Sequence, residues 1–415
     1  TLDTGGQVSA TTSGSGQGGI LSVNAQDFVQ VFNNARLSFD SSGTGDAGQL
    51  GINTRQFTLD TGGQVSATTS GSGQGGILSV NAQDFVQVFN NARLSFDSSG
   101  TGDAGQLGIN TRQFTLDTGG QVSATTSGSG QGGILSVNVQ EFVKINGAGS
   151  RLNLASLGSG DAQELNINTG DLTVENQGEI SISGLGTGRA GDLNIKARSI
   201  FLNQQGNLLA RTISGEGGNI RLEVAENLIL RYNSNILTEA LGTGNGGNIS
   251  ITAGGYVLAI LSENSDIAAT AIEGRGGNIF VRALGIFGFS NPGRLVRTPQ
   301  SDLSASSTLG IDGIAVLDVE PFQPEEQLPG QPNDPQIGTG CQVRRDGMTQ
   351  DLTRSRFNIT GRGGLAPSPT DALSGFMLSP SFIRREVESD ESQGLSDLST
   401  LQLLWQCQVK NSRIE

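Results

Sequence analysis

Two aspartates, Asp46 and Asp103, lie in the glycine-rich motif Gly-x-Gly-Asp-x-Gly, where a carboxylate could bind Ca²⁺. Calcium-binding β-roll ligands recur within a short nonapeptide repeat, whereas these two aspartates are a full 57-residue block apart. In stacked coils they would be separated by ~9.6 Å, two strand spacings. That distance is too long for both to bind one ion at about 2.3–2.6 Å. We therefore predict no metal site and interpret both as solvated corner carboxylates.

Catalytic chemistry has few candidates in this chain. A glycoside hydrolase needs two carboxylates that face each other across a cleft, and Asp27 and Asp40 are the candidates that the repeat offers. Repetition of the block would copy such a site into successive coils. The chain has no histidine, which excludes His-based catalysis and His-ligated metals. The strings typified by Gly14–Gly19 resemble phosphate loops, but they recur in every coil and no helix is expected after them. We predict no catalytic or cofactor-binding residues and no enzymatic activity.

These residues belong to a tandem repeat. Residues Thr1–Phe57 are identical to Thr58–Phe114, and a third copy holds from Thr115 to Asn138. A glycine-rich corner divides each block into two halves, and the same corner returns along the chain to give ten units of 27–30 residues. A chain that accepts verbatim duplication of such a block is expected to be a stack of interchangeable units.

Each unit contains three short stretches with strand periodicity. The first alternates apolar and polar residues, as in Leu21-Ser-Val23 and Leu50-Gly-Ile52, and the third carries residues such as Leu37 and Val65. The second stretch opens with an aromatic residue in five successive units: Phe28, Phe57, Phe85, Phe114 and Phe142. The pattern predicts an all-β fold, a right-handed parallel β-helix of about ten coils followed by an irregular C-terminal cap or tail. Propellers and serial sandwiches fit the short period less well.

Stacking in a β-helix puts equivalent residues above one another. We therefore expect the five phenylalanines to form an interior aromatic ladder, and Asn219, Asn248 and Asn278 to form an amide ladder. Ten coils at the strand spacing give a rod of roughly 48 Å. The glycines are expected to provide positive-φ corners between strands.

The repeat divides the chain into segments. We assign residues 1–289 to the β-helix rod, 290–319 to a terminal irregular coil, 320–335 to a Pro/Glu/Gln-rich linker and 336–415 to a C-terminal cap or anchor. The chain opens in mid-repeat, which indicates a fragment of a longer protein. Cys341 and Cys407 could form one long-loop disulfide, and two free thiols fit the sequence equally well. A net charge of −14 disfavours nucleic acid as a partner.

Three stretches carry a family resemblance: Ala283–Gly288, Ser301–Ser307 and Thr360–Asp371. Together with the coils, they resemble the cyanobacterial branch of filamentous haemagglutinin-type exoproteins, the passengers of two-partner secretion. In that branch a lone Cys precedes a Gly-Arg-Gly-Gly-Leu-Pro-Pro-type motif, and Cys341 and Gly361–Asp371 match this order. Ala366 stands where the pattern has Pro, and the chain continues beyond Asp371 with a second cysteine.

The resemblance implies a secreted or cell-surface protein. Its expected partner is an outer-membrane β-barrel transporter that recognises an N-terminal domain outside this sequence. Some relatives are tethered by a C-terminal segment closed by a disulfide, a role that Cys341 and Cys407 could fill. The expected function is a non-catalytic adhesin or stalk that binds a cell-surface or carbohydrate ligand through many weak contacts. The alternatives are a carbohydrate-active β-helix enzyme and a surface-layer structural component.

Overall fold

The computed structural model describes residues 1–290 and 297–319. This part of the chain is a parallel β-helix of about ten turns, as the repeat predicted. The predicted linker at 320–335, the segment at 336–415, Cys341, Cys407 and the motif at Thr360–Asp371 lie outside the described residues.

In residues 1–290 and 297–319 the regular elements are strands, apart from one turn of 3₁₀-helix at Leu261–Glu263. The strands in chain order are β1 (Gln7–Thr12), β2 (Ile20–Asn24), β3 (Phe28–Val31), β4 (Arg36–Ser41), β5 (Gln49–Leu59), β6 (Gln64–Thr69), β7 (Ile77–Val88), β8 (Arg93–Ser98), β9 (Gln106–Asp117), β10 (Gln121–Thr126), β11 (Ile134–Asn146), β12 (Arg151–Ser156), β13 (Glu164–Glu175), β14 (Glu179–Gly184), β15 (Asp192–Asn203), β16 (Asn207–Thr212), β17 (Ile220–Val224), β18 (Leu228–Leu230), β19 (Asn235–Ala240), β20 (Ile249–Ala253), β21 (Tyr256–Leu258), β22 (Ile267–Ala271), β23 (Ile279–Ala283), β24 (Gly285–Phe287), β25 (Leu303–Ser307) and β26 (Ala315–Val319).

Two parallel sheets run along the rod. One has 11 strands and begins β1-β4-β6-β8-β10, and the other has 15 strands and follows the order β2-β5-β7-β9-β11 and onward. Equivalent residues are in register from coil to coil: Leu37 pairs with Val65, and Val65 pairs with Leu94. β25 and β26 extend both sheets by pairing with β22 and β23.

The first and second predicted strands are fused in the middle of the rod. β5, β7, β9, β11, β13 and β15 are each 11 to 13 residues long and bend without leaving the sheet. The two segments are separate only towards the ends, as in β2 and β3 or β17 and β18. The prediction of three short strands per coil is therefore wrong for the central coils, because the polar residues at the bend keep extended backbone.

The core is a continuous apolar column between the sheets, mostly aliphatic. In β4, β6, β8 and β10 large and small side chains alternate from coil to coil: Phe39 pairs with Ala67, which pairs with Phe96. These side chains are buried, as is Ala124 two coils beyond Ala67. Such alternation lets each ring use space that the small residue above or below it leaves open.

The predicted interior ladder of five phenylalanines is wrong. Phe57 and Phe114 are fully buried, whereas Phe28 is 47 % exposed and Phe85 and Phe142 are half-buried. The coils that contain these outer rings have one extra residue in the bend, so the pairing shifts between Asn81 and Phe85. A one-residue shift moves a side chain to the opposite face of the sheet. Val29 and Val86 therefore lie above and below Phe57.

The Gly-x-Gly corners use glycine for close contact rather than for positive φ. A Cβ on Gly43 would overlap the carbonyl oxygen of Gly14 in the preceding coil, and none of the glycines in these corners has a positive φ. Positive φ occurs at the other corner, both at asparagines such as Asn33 and Asn34 and at glycines such as Gly62 and Gly119. The prediction of positive-φ glycine corners is therefore wrong for the Gly-x-Gly motif.

Candidate functional site

An asparagine ladder runs along the outside of the 15-stranded sheet. It consists of Asn24, Asn53, Asn81, Asn110 and Asn138, each at the bend of its coil. From Asn53 onward, each Nδ2 donates a hydrogen bond to the Oδ1 of the asparagine in the preceding coil, at 2.8, 2.9, 2.8 and 3.1 Å. Each Oδ1 keeps a lone pair for solvent or ligand, and each Nδ2 keeps one N–H except that of Asn81, which also donates to Ser79 Oγ at 3.2 Å.

The ladder forms one wall of a shallow groove parallel to the rod axis. Three adjoining depressions with volumes of about 600, 650 and 450 Å³ share lining residues such as Asn110 and Asn138. The floor carries small residues, including Ala82 and Thr111, because the strand bends there. The glutamines of the opposite wall are Gln26, Gln83 and Gln140. An amide-lined groove of this kind offers hydrogen-bond donors and acceptors at every coil without formal charge.

The charged residues beside the groove pair with one another. Arg55 Nε lies 3.0 Å from Asp84 Oδ2, and Arg112 lies 3.8 Å from Asp84 and 3.3 Å from Glu141. Positive and negative residues thus alternate from coil to coil along this line. The groove itself acquires charge only at its far end, where Lys196, Arg221 and Glu223 line it.

The outward phenylalanines follow the groove closely in the chain. Phe28 comes two residues after Gln26, and Phe85 and Phe142 have the same position relative to Gln83 and Gln140. Gln56 and Gln113 pair with them from the intervening coils. The partly exposed rings therefore recur every second coil, ~9.6 Å apart, on the face that adjoins the amide wall.

The corner aspartates accept hydrogen bonds from the backbone of the next coil. Asp46 Oδ1 accepts a hydrogen bond from the backbone N–H of Gln74 at 2.8 Å, and Asp103 does the same for Gln131 at 2.8 Å. Each carboxylate therefore ties its corner to the next coil. Among residues 1–290 and 297–319, no group of three or more His, Cys, Asp or Glu side chains is arranged to bind a metal ion.

The two carboxylates considered for hydrolysis lie in different parts of the coil. Asp27 is at the bend between β2 and β3, whereas Asp40 is in β4 of the other sheet and pairs with Arg36 at 3.6 Å. They belong to separate sheets and do not flank one groove.

The most buried carboxylates lie near the last coil. Asp266 Oδ1 accepts a hydrogen bond from the backbone N–H of Asp302 at 2.8 Å, and its Oδ2 binds Arg297 Nη2 at 2.6 Å. Burial raises the pKa of Asp266 above its ordinary value, although these hydrogen bonds and Arg297 act in the opposite direction. The raised pKa means that ionised Asp266 costs stability, so this group favours folding more as pH falls. Both partners of the Asp266 carboxylate, Asp302 and Arg297, come from the segment that follows its coil. This arrangement indicates a structural role, in which Asp266 holds that segment against the rod.

The sequence predicted one of the two amide ladders. Asn219, Asn248 and Asn278 stack as predicted: Asn248 Nδ2 donates to Asn219 Oδ1 at 3.1 Å, and the backbone N–H of Asn278 donates to Asn248 Oδ1 at 2.9 Å. The ladder beside the groove was missed, although an asparagine follows the first alternating stretch in five successive units. That recurrence was the signal that could have revealed it.

Comparison with known proteins gave no match. No protein-family model, curated protein or solved structure is similar to this chain at a significant level. In the described part of the chain, no helix has the length and apolar character needed to cross a membrane.

Proposed function

We propose that this chain is part of a secreted or cell-surface exoprotein of the filamentous haemagglutinin type, which acts as a non-catalytic adhesive stalk. The fold is compatible with that role, because a β-helix extends by adding coils and repeats its surface at each one. On this proposal, export would use an outer-membrane β-barrel transporter of the two-partner type. The observation that carries the proposal is the amide-lined groove, which repeats the same polar groups coil after coil.

The chemistry of the groove favours an extended, uncharged polysaccharide as the ligand. Asparagine and glutamine amides match sugar hydroxyls as donors and acceptors. The net charge of −14 disfavours polyanions. The outward rings of Phe28, Phe85 and Phe142 provide apolar faces on which sugar C–H groups could stack. Because the groove follows the rod axis, one polymer would contact several coils, and weak contacts would add into avidity.

Binding to polysaccharides tests the proposal. The probe is a soluble neutral glucan, with a carboxylated polysaccharide as comparison, and the readout is retardation in affinity electrophoresis. We expect the neutral polymer to retard the chain without releasing sugar. A variant with Gln26→Ala, Gln83→Ala and Gln140→Ala should lose at least about tenfold in apparent affinity, since each lost hydrogen bond is worth about 0.5–1.5 kcal/mol.

The chain offers a matched control for this variant. Gln7, Gln64 and Gln121 recur with the same spacing but open strands of the other sheet, so Gln7→Ala, Gln64→Ala and Gln121→Ala should bind like the wild type. Equal loss in both variants, or no retardation by either polymer, would reject the groove as the binding surface. Fractionation of the source cells tests the location: a cytosolic protein would reject the exoprotein proposal, whereas release from the surface by reductant would support a Cys341–Cys407 tether.

A further inference from the structure

An apolar ridge runs along the corner where each coil leaves the 11-stranded sheet. It consists of Leu157, Leu185, Ile213, Leu241 and Ile272, each directly after a strand of the 11-stranded sheet. Their exposed fractions range from 39 to 48 %. Contiguous exposed apolar surface on a soluble protein commonly marks an interaction site.

Backbone hydrogen bonds align the ridge residues from coil to coil. Leu185 N–H donates to Ser156 O at 2.7 Å, Ile213 N–H to Gly184 O at 3.1 Å and Leu241 N–H to Thr212 O at 2.8 Å. Each acceptor immediately precedes the ridge residue of the previous coil. The five side chains therefore form a straight line of ~19 Å, four strand spacings.

The coil itself does not require an apolar residue at this position. In the duplicated coils the equivalent residues are serines, Ser70 and Ser127, whose N–H groups bond to the preceding coil at 2.8 Å in the same way. The Leu157 N–H makes the equivalent bond to Thr126 O at 2.7 Å. Since serine and leucine support the same corner, folding does not explain the exposed leucines and isoleucines.

The charged residues beside the ridge are one positive and one negative residue on neighbouring coils, so two antiparallel copies would present opposite charges to each other. Arg189 and Glu216 occupy the corners after Leu185 and Ile213, and they pair at 2.9 Å while both remain largely exposed. A two-fold axis across the ridge between these two coils would bring Arg189 of each copy to the level of Glu216 of the other along the rod axis. The same axis places Leu185 against Ile213 and Leu157 against Leu241. Such a surface meets the requirement of an isologous interface.

We propose that the ridge is the interface through which two copies of this chain associate side by side and antiparallel. Five half-exposed side chains cover less area than the about 800 Å² per partner of a standard interface, so a single pair of ridges associates weakly. Stacked rods at a surface would strengthen such contacts by multivalency. This inference is independent of the polysaccharide groove, which lies on the other sheet.

Sedimentation of the full 415-residue chain tests the interface. The chain is kept in reductant, so that disulfides cannot crosslink it, and is measured at concentrations up to about 1 mM. We expect reversible dimers in the wild type. Leu185→Ser, Ile213→Ser and Leu241→Ser together should weaken association at least tenfold without altering the circular dichroism spectrum. Ile77→Gln is the control, because Ile77 is also exposed and Gln49 and Gln106 pair with it in neighbouring coils; it should dimerise like the wild type.

Charge exchange tests the antiparallel arrangement. Arg189→Glu should weaken association, and adding Glu216→Arg should restore it. A wild-type monomer at every concentration would overturn the proposal, whether the ridge then meets another protein or another part of this chain. The same conclusion follows if the triple serine variant dimerises normally, and failure of the charge exchange to restore association would overturn the antiparallel arrangement.

Discussion

Glu263 secures the corner of its coil through three hydrogen bonds. Its two carboxylate oxygens accept from Arg231 Nε at 2.7 Å and Nη2 at 2.8 Å, and Oε2 also accepts from the backbone N–H of Tyr232 at 3.0 Å. The Arg231 hydrogen bond is the main cause that holds the pKa of Glu263 below its ordinary value. A lowered folded-state pKa contributes stability above the unfolded pKa, and this contribution disappears as pH falls through the folded pKa.

Replacing Glu263 should therefore have a pH-dependent effect. Glu263→Gln is expected to lower the free energy of unfolding by about 1 kcal/mol at pH 7, a value reduced for partial solvent exposure. The difference from wild type should shrink below about pH 4, where the carboxylate of the unfolded chain is protonated. Urea unfolding of the variant and the wild type at pH 7 and below about pH 4 measures this difference in the free energy of unfolding. Asp318→Asn removes a more exposed partner of Arg282 and should cost less than about 0.5 kcal/mol; a pH-independent loss in Glu263→Gln would contradict the assigned cause.

Whether a single side chain points into the core or outward depended on features that the apolar periodicity of the sequence does not reveal. Phe28 and Phe57 follow an asparagine at the same distance in the chain, yet one points outward and the other inward. The coil of Phe28 has one more residue at its bend than the coil of Phe57. Only the pairing with the neighbouring coil shows where the strand takes up that residue. Asn219, Asn248 and Asn278 were predicted correctly, because each directly precedes a strand whose start is marked by glycines.

At the scale of the coil, glycine at the corners allows the backbones of successive coils to pack in direct contact. A Cβ on Gly105 would overlap the carbonyl oxygen of Gly76, whereas Gly108, three residues later in the same coil, has no neighbouring atom within 4 Å of its Cβ position. The first glycine is therefore required by the packing of backbone on backbone. The second is tolerated at a surface position where Ser79 and Ser136 are the paired residues.

The two glycines should respond oppositely to alanine. Gly105→Ala is expected to lower the free energy of unfolding by about 3 kcal/mol, because the corner must open to admit the methyl group. Gly108→Ala should change it by less than about 1 kcal/mol and in the stabilising direction, since glycine weakens a strand interior. Chemical unfolding of the two variants in parallel gives both values. Similar destabilisation by both would show that backbone contact between corners is not what requires Gly105.

At the scale of the whole molecule, the duplicated part of the rod is built from pairs of coils. Phe39 and Phe96 alternate with Ala67 in the core, and Arg55 alternates with Asp84 on the surface. The 57-residue block contains both members of each alternation. Duplication of the block therefore preserves every contact between neighbouring coils, whereas duplication or loss of one coil does not.

Deletion of a two-coil block and deletion of a single coil should therefore have different effects on stability. Removal of residues 58–114 joins Phe57 to Thr115 and recreates the wild-type junction, so we expect a folded rod that is ~9.6 Å shorter. Removal of residues 58–86 places Phe39 on Phe96 and Asp40 on Asp97. It should cost about 1–3 kcal/mol for the stacked rings, with like-charge repulsion in addition. Thermal unfolding and small-angle scattering compare the two, and equal stability would contradict the two-coil unit.

The sequence alone determined the architecture, because verbatim repeats, glycine corners and period-two stretches are local signals that each coil carries independently. It also determined which aliphatic residues form the core, including Leu37 and Val65, since their spacing sets the strand face. Only the tertiary structure decided the orientation of Phe28, Phe85 and Phe142, the fusion of two strands at the bend, and the groove and ridge on the surface. Those features arise from the register between coils, which brings together residues about 28 positions apart, and a single chain segment does not reveal that register.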